Sequence, residues 1–354
     1  MAIKTYSTRP EVVGASQGSL VDCSSLQPAW AWWDAIASGL GHRPYYLVGS
    51  DSQREAFACL PLMLVKSRLF GSFLVSLPYL NSGGLIFQGP GSMHDELCHS
   101  LIDRAVELAD ALDVKHLELR QEVRFEHPAF NYERTDKVHM RLALPSSPDE
   151  LMASFKSKLR SQVKKSNENP FEVQFGGEEL LADFYKVFAH NMRDLGTPVY
   201  SRNLFRQTLR SFANSKSDSR AEFAVVRLNQ QPISGALLVH HAQRTEVPSA
   251  SALRSFNSTN VNMWMYWNLL RRAIELGSTE FDFGRSTVGA GTYKFKEQWG
   301  AKPSPAVWQY YVRKGDPASM RPDDEGKQRL VKIWQRLPVW FTKLIGPPIV
   351  RGIP

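Results

Sequence analysis

The sequence predicts an α/β protein built as two similar units in tandem, and three observations carry that reading. In the first half, strand-like runs at 45–48, 56–66 and 73–77 precede a stretch of helical period and then an alternating run at 114–120, VKHLELR. The second half repeats the order, with runs at 223–228, 233–241 and 247–253, a helix ending at Leu276, and TEFDFGR at 279–285. The 354 residues leave room for two domains, each with a sizeable core. Identity between the halves is slight, so what repeats is topology.

In chain order, the polar opening MAIKTYSTRPE lacks the apolar core of a secretory leader. Ala29 to Trp33 begin a short helix whose tryptophans read as core. The first meander turns at 49–51 and 67–71, and Asn81-Ser82-Gly83-Gly84 breaks it before Leu85-Ile86-Phe87. From His94 to Leu112 the residues Leu97, Leu101, Ile102, Ala105, Leu108 and Leu112 recur at helical spacing.

A single helix is expected inside 148–170, capped by Ser147 with Glu150 completing a capping box. Phe155, Leu159 and Val163 share one face, while Lys156, Lys158, Arg160, Lys164 and Lys165 follow with no intervening acid. A solvated face and an anion-binding face are both open readings, and the missing acids favour the second. The helix at 183–191, with Phe184, Val187 and Phe188 inward, should stop at Gly196 and Pro198, presenting Arg193, Asp194, Thr197 and Tyr200. The second meander turns at 229–232, and Asn262 is the expected cap of a helix with Met263, Tyr266, Leu269, Leu270, Ala273 and Leu276 inward.

Residues 327–354 hold six basic and no acidic side chains. Leu330, Ile333, Trp334, Leu337, Phe341, Leu344 and Ile345 fall on one helical face, bent at Pro338. Such an amphipathic tail either docks on the body or lies in a membrane interface. The expected domains are therefore 1–146, 147–315 and a tail at 316–354.

With 43% hydrophobic and 22% charged residues, wholesale disorder is excluded. A net charge of +8 favours an anionic partner: nucleic acid, a phosphorylated substrate or a lipid surface. Cys23, Cys59 and Cys98 are scattered and lack CxxC spacing, so neither a disulfide framework nor a cysteine-rich zinc site is expected, in keeping with a cytoplasmic chain. No apolar run reaches the ~20 residues of a spanning helix, which leaves peripheral contact at the inner membrane as the membrane role in play.

The most informative stretch is 281–303, FDFGRSTVGAGTYKFKEQWGAKP. An apolar/acidic alternation ends a buried strand, turns at Gly284, and runs through small residues into Tyr293, Lys294, Phe295 and Lys296, read as an extended loop. Asp282-Phe283-Gly284 is not a kinase motif, because no Gly-rich loop or HRD segment precedes it, and Gly289-Ala290-Gly291 is not a phosphate cradle.

FDFG, a short Gly-rich loop, and FK followed by WG together resemble the last motif of the Fem-type (FemAB-like) transferases, most of all the subgroup associated with exosortase/PEP-CTERM systems. MRDLGTPVYSRNLF, from Met192, resembles the same subgroup, and the likeness runs from about Trp30 to Trp308. The resemblance implies two GNAT-type units, an active cleft in the second, a wall of that pocket at 192–205, and a basic helix introducing the second unit. It also implies transfer of an amino acid from aminoacyl-tRNA to a peptidoglycan-type precursor, with no permanently bound cofactor. Related GNAT enzymes use acyl-CoA, but their Q/R-x-x-G-x-G/A pattern is missing here. The acceptor suggested is an envelope, saccharide or exopolysaccharide precursor. A protein that binds such a precursor without turnover is the alternative from another class.

Acyl transfer to an amine needs stabilisation of the developing oxyanion, and Lys296 is the candidate, shielded by Phe295. Lys294 is the weaker candidate, expected on the opposite face. Asp282 is the candidate proton acceptor, with pairing to Arg285 or fixing of the loop as its other readings. Arg193 and Arg285 are candidate clamps for a carboxylate or phosphate, and Tyr293, Phe295 and Trp299 are expected to line the substrate site. His190, His240 and His241 are assigned core or surface roles, and no metal site is expected.

Overall fold

A computed structural model describes residues 2–8, 27–50, 57–88, 94–215, 219–316 and 325–354. These fall into two compact units, one within 1–137, 305–322 and 350–354, the other within 138–304 and 323–349. Cys23 and Asp51 lie outside the described residues, whereas Cys59 and Cys98 are buried free thiols.

The first unit contains β1 (Ala2–Tyr6), α1 (Gln27–Leu40), β2 (Arg43–Ser50), β3 (Phe57–Ser67), β4 (Gly71–Val75), β5 (Ile86–Gln88), α2 (His94–Ala111) and β6 (His116–Gln121). β2, β3 and β4 form the expected antiparallel meander, while β6 returns parallel to β4 after the α2 crossover. The stripe Leu97, Leu101, Ile102 and Ala105 is fully buried against Leu47, Leu60, Leu62, Leu117 and Leu119. Each buried leucine contributes about 1.5–3 kcal/mol. Trp30 and Trp33 are core, as expected, and the Trp33 indole N–H donates to the Ser76 carbonyl at 2.8 Å.

From Val138, β7 (Tyr132–Ala143) belongs to the second unit. Next come α3 (Pro148–Ser154), α4 (Ser157–Ser166), β8 (Phe171–Gly176), α5 (Leu181–Leu195), α6 (Arg202–Ala213), β9 (Arg220–Leu228), β10 (Gln231–His241) and β11 (Arg244–Ala252). α7 (Val261–Glu275), β12 (Glu280–Thr287), α8 (Gly291–Glu297) and the first residues of β13 (Lys302–Val312) complete the order. β9, β10 and β11 are an antiparallel meander and β12 runs parallel to β11, the plan of the first unit again.

Three local expectations change. The single helix after Ser147 is two helices: Ser147 caps the first by accepting from the Glu150 N–H, but Phe155 leaves helical geometry at ψ 147°. Its ring is buried edge-on to Trp267 and Trp299, so core packing overrides helix continuity. Asn262 is not a cap, because α7 starts at Val261 after Asn260 at φ +57°. The stretch after Pro198, given no helix by the sequence reading, leads into one, since Ser201 caps α6 through the Leu204 N–H.

α9 (Glu325–Arg336) and α10 (Val339–Val350) are separated at Pro338, where the bend was expected. Both pack on the second unit. A Cβ on Gly346 would lie 2.8 Å from the Val199 nitrogen, and one on Gly196 2.4 Å from a Val331 methyl, so the helices approach closely.

Candidate active site

The parallel ladder between β11 and β12 is three residues long, ending where Glu246 faces Asp282. Beyond it β11 continues to Ala252 and β12 to Thr287, so the two strands part with main-chain groups unpaired to each other. The Asn191 amide of α5 donates to Ser251 Oγ on the parted stretch of β11, which sets the end of α5 beside this opening.

Asp282 stands at the point of parting and is 3% exposed. Its Oδ1 accepts the Gly284 N–H at 2.7 Å, an Asx-type turn that Gly284 permits by adopting φ +78°. Its Oδ2 accepts from Arg141 Nε at 3.2 Å, and buried His139 places Nδ1 3.3 Å away. Burial pushes the carboxyl up, but His139, the Gly284 N–H and Arg141 outweigh it and hold the group below its ordinary range. The cation partnering Asp282 is thus Arg141, not Arg285.

The turn shaped by Asp282 holds Lys296. The ammonium donates to the Gly284 and Arg285 carbonyls, each at 2.9 Å, and the third N–H finds no acceptor among the described residues. Burial lowers the Lys296 pKa to about 8, the Asp282 charge opposing and Arg285 assisting. The segment read as extended is the helix α8, and this decides which lysine is buried. Lys294 does lie away from Lys296, but helical winding and not strand alternation puts it there: in an extended run residues two apart share a face, whereas on the helix Lys296 points inward and Lys294 is exposed.

Phe295 and Tyr293 are partly buried against the core, Phe295 edge-on to Tyr266 at 5.1 Å. Trp299 is fully buried between Phe155 and Phe295, which makes it a core residue rather than a substrate contact. The Arg285 side chain is exposed.

Arg193, Asp194, Thr197 and Tyr200 are gathered at the end of α5, where the C-terminal helices engage the first two. Arg193 donates to Asp194 at 2.6 Å and to the Leu337 carbonyl at 3.1 Å, and Gln335 donates to the Asp194 carbonyl. The Thr197 N–H closes α5 on the Met192 carbonyl, Gly196 taking φ +76° as the sequence predicted. Tyr200 stacks on Phe188 and its carbonyl accepts from Tyr185. The clamp expected of Arg193 is therefore already closed on the protein's own groups.

On α4 and at Lys156, the residue that precedes it, Leu159 and Val163 are buried while Lys156, Lys158, Arg160, Lys164 and Lys165 are all exposed. None of the five is ion-paired among the described residues. His240 is buried between Glu222 and Thr245, His241 meets Glu246, and His190 meets its own helix, in line with structural roles.

Sequence reasoning missed His139 and Arg141. Their signal was present in the alternation Val138, His139, Met140, Arg141, Leu142, which marks a strand with one polar face. The pairing to a carboxylate 141 residues later was not.

A family model described as an acetyltransferase (GNAT) domain matches residues 153–297, the segment that carries α4, the meander and Lys296. The fold is GNAT-like. FemX is similar with a TM-score of 0.59 at 15% identity, over 88% of this chain and 98% of that one. L-PGS from Bacillus licheniformis is similar with a TM-score of 0.50 at 12% identity, over 88% and 91% of the two chains. The C-terminal domain of a candidate lysylphosphatidylglycerol synthetase from Agrobacterium fabrum gives 0.50 at 10% identity, over 83% and 93%. No curated protein sequence matches the chain. The Fem-type fold expected from the sequence is the fold observed, as two GNAT-like units with helices at the C-terminal end.

Proposed function

We propose that the chain is an N-acyltransferase that moves an aminoacyl group from aminoacyl-tRNA to an amine on a cell-envelope or exopolysaccharide precursor. The acceptor nitrogen attacks the ester carbonyl, the new C–N bond forms as the C–O bond to the ribose breaks, and the nitrogen's proton goes to the leaving oxygen. The observation that carries this reading is Lys296: a buried cation, fixed by two main-chain carbonyls beside a parted pair of strands, with one N–H left for an oxyanion. A preorganised donor of this kind contributes about 2.7–4 kcal/mol to the transition state. Asp282 then serves as a positioning residue, because a carboxylate held below its ordinary range is a poor proton acceptor. The exposed α4 cations suit the phosphates of a tRNA, and the exosortase/PEP-CTERM-type motifs support the envelope or exopolysaccharide acceptor.

A second reading, acyl-CoA as donor, is favoured by the acetyltransferase description of 153–297 and by the parting of β11 from β12. The test is binding and turnover with charged tRNA and with acetyl-CoA, side by side at two salt concentrations. Salt-steep tRNA binding, weakened when the five α4 cations become Gln, supports the first reading. CoA turnover alone moves the donor to the second, and no turnover with any donor leaves the precursor-binding alternative.

A further inference from the structure

The C-terminal helices have two faces of different fate. One packs on the second unit through Gly346, buried Thr342 and the bond from Arg193 to Leu337. The other leaves Leu330 at 65%, Ile333 at 53%, Trp340 at 69% and Leu344 at 68% exposed. A spacing of three residues on α9 and of four on α10 puts each pair on one side of its helix. Exposed cations adjoin them in sequence: Arg329 precedes Leu330, Lys332 precedes Ile333, and Lys343 precedes Leu344.

We propose that this face is a docking surface for an anionic phospholipid bilayer, with α9 and α10 lying in the plane of the headgroups. Charge chooses the occupant. α9 and α10 carry five cations, Lys327, Arg329, Lys332, Arg336 and Lys343, against one acid, Glu325 at the first position of α9, so a neutral partner would leave the excess cations unmatched and a second copy would set cation against cation. Apolar side chains among them, with a tryptophan, suit the boundary between headgroups and acyl chains. Neither helix crosses the membrane, since no described helix is long and apolar enough. This surface is independent of the donor chemistry proposed above.

The test is co-sedimentation of the full chain with vesicles of phosphatidylcholine alone and of phosphatidylcholine mixed with phosphatidylglycerol, at low and high salt. Binding to the anionic vesicles is expected, weakened by salt. Replacing Arg329→Gln, Lys332→Gln and Arg336→Gln together should cost about a hundredfold, from roughly 1 kcal/mol per cation. Trp340→Ser with Leu344→Ser should weaken binding at either salt concentration. All five positions are exposed, so thermal unfolding of both variants should match the parent, and the charge variant decides the matter alone if the other does not fold. Absent binding, equal binding to neutral vesicles, or binding that survives both variants would overturn the proposal. So would a lipid-free dimer, seen by light scattering, that either variant dissolves.

Discussion

The two units contain the same device in two conditions. In each, the strand after the crossover helix pairs with the last meander strand for three residues, and the final paired residue is a buried acid: Glu118 opposite Val75 in the first, Asp282 opposite Glu246 in the second. Glu118 is closed in by its own strand. Arg120 folds back onto it at 2.7 Å and donates to the Leu77 and Leu80 carbonyls, and Trp308 covers the guanidinium at 4.2 Å. The main chain beyond the ladder is also filled, since Ser76 bonds to both Glu118 and Arg120. At Asp282 a glycine follows instead, the acid shapes a turn, and the turn holds a lysine with a donor in hand. One centre is a finished piece of core, and the other is the proposed site.

Predictions that break or sharpen the contrast run from large to small. Glu118→Ala leaves Arg120 buried without its carboxylate and should cost about 3–5 kcal/mol, read as a fall in the unfolding midpoint. Lys296→Met should reduce turnover about 10²–10³-fold with a smaller loss of stability than Glu118→Ala, read by kinetics and melting together. If Lys296→Met instead unfolds the protein while Glu118→Ala is mild, the assignment of core and site is reversed. Gly284→Ala forces a side chain into φ +78° and should cost about 1–2 kcal/mol, with turnover falling further as the carbonyls shift from Lys296.

The smallest effect is in pH dependence, and its sign differs between centres. Glu118 is at about 2 in the fold, where burial raises it and Arg120 and His116 more than reverse that, so its stabilisation is present above the ordinary value and lost as pH falls from about 4.5 towards 2. Lys296 is lowered to about 8, so the folded state binds fewer protons than the unfolded chain between about 8 and 10.5, and stability from this group rises across that window. Turnover should do the opposite, falling above pH 8 as the cation is lost, and Lys296→Arg should remove that fall if any activity remains. Activity that rises through pH 8 in the parent would make Lys296 a base.

Much of this was legible. VKHLELR and TEFDFGR announced matching strands, and the Leu97 stripe, Gly196 and Pro338 sat where local chemistry put them. What escaped was set by distant contacts. Phe155 breaks a helix to reach Trp267 and Trp299, and GTYKFKE, rich in strand-favouring rings, is wound as a helix that buries Lys296. Asp282 was picked out from its alternation, but its side-chain partners lie on β7 and nothing local to 282 names them. The trade of Arg285 for Arg141 is the clearest case, since sequence proximity favoured the wrong arginine.

Lys296 is gripped by the carbonyls of Gly284 and Arg285, and a carbonyl is the one group every amino acid supplies. As far as this grip is concerned, position 285 is free to drift to any residue in evolution. Position 284 is tied by its backbone angle, and the lysine itself by its charge. A search for related sites should therefore weigh the acid, the glycine two residues on and the lysine twelve beyond that glycine, and tolerate almost any spelling between them.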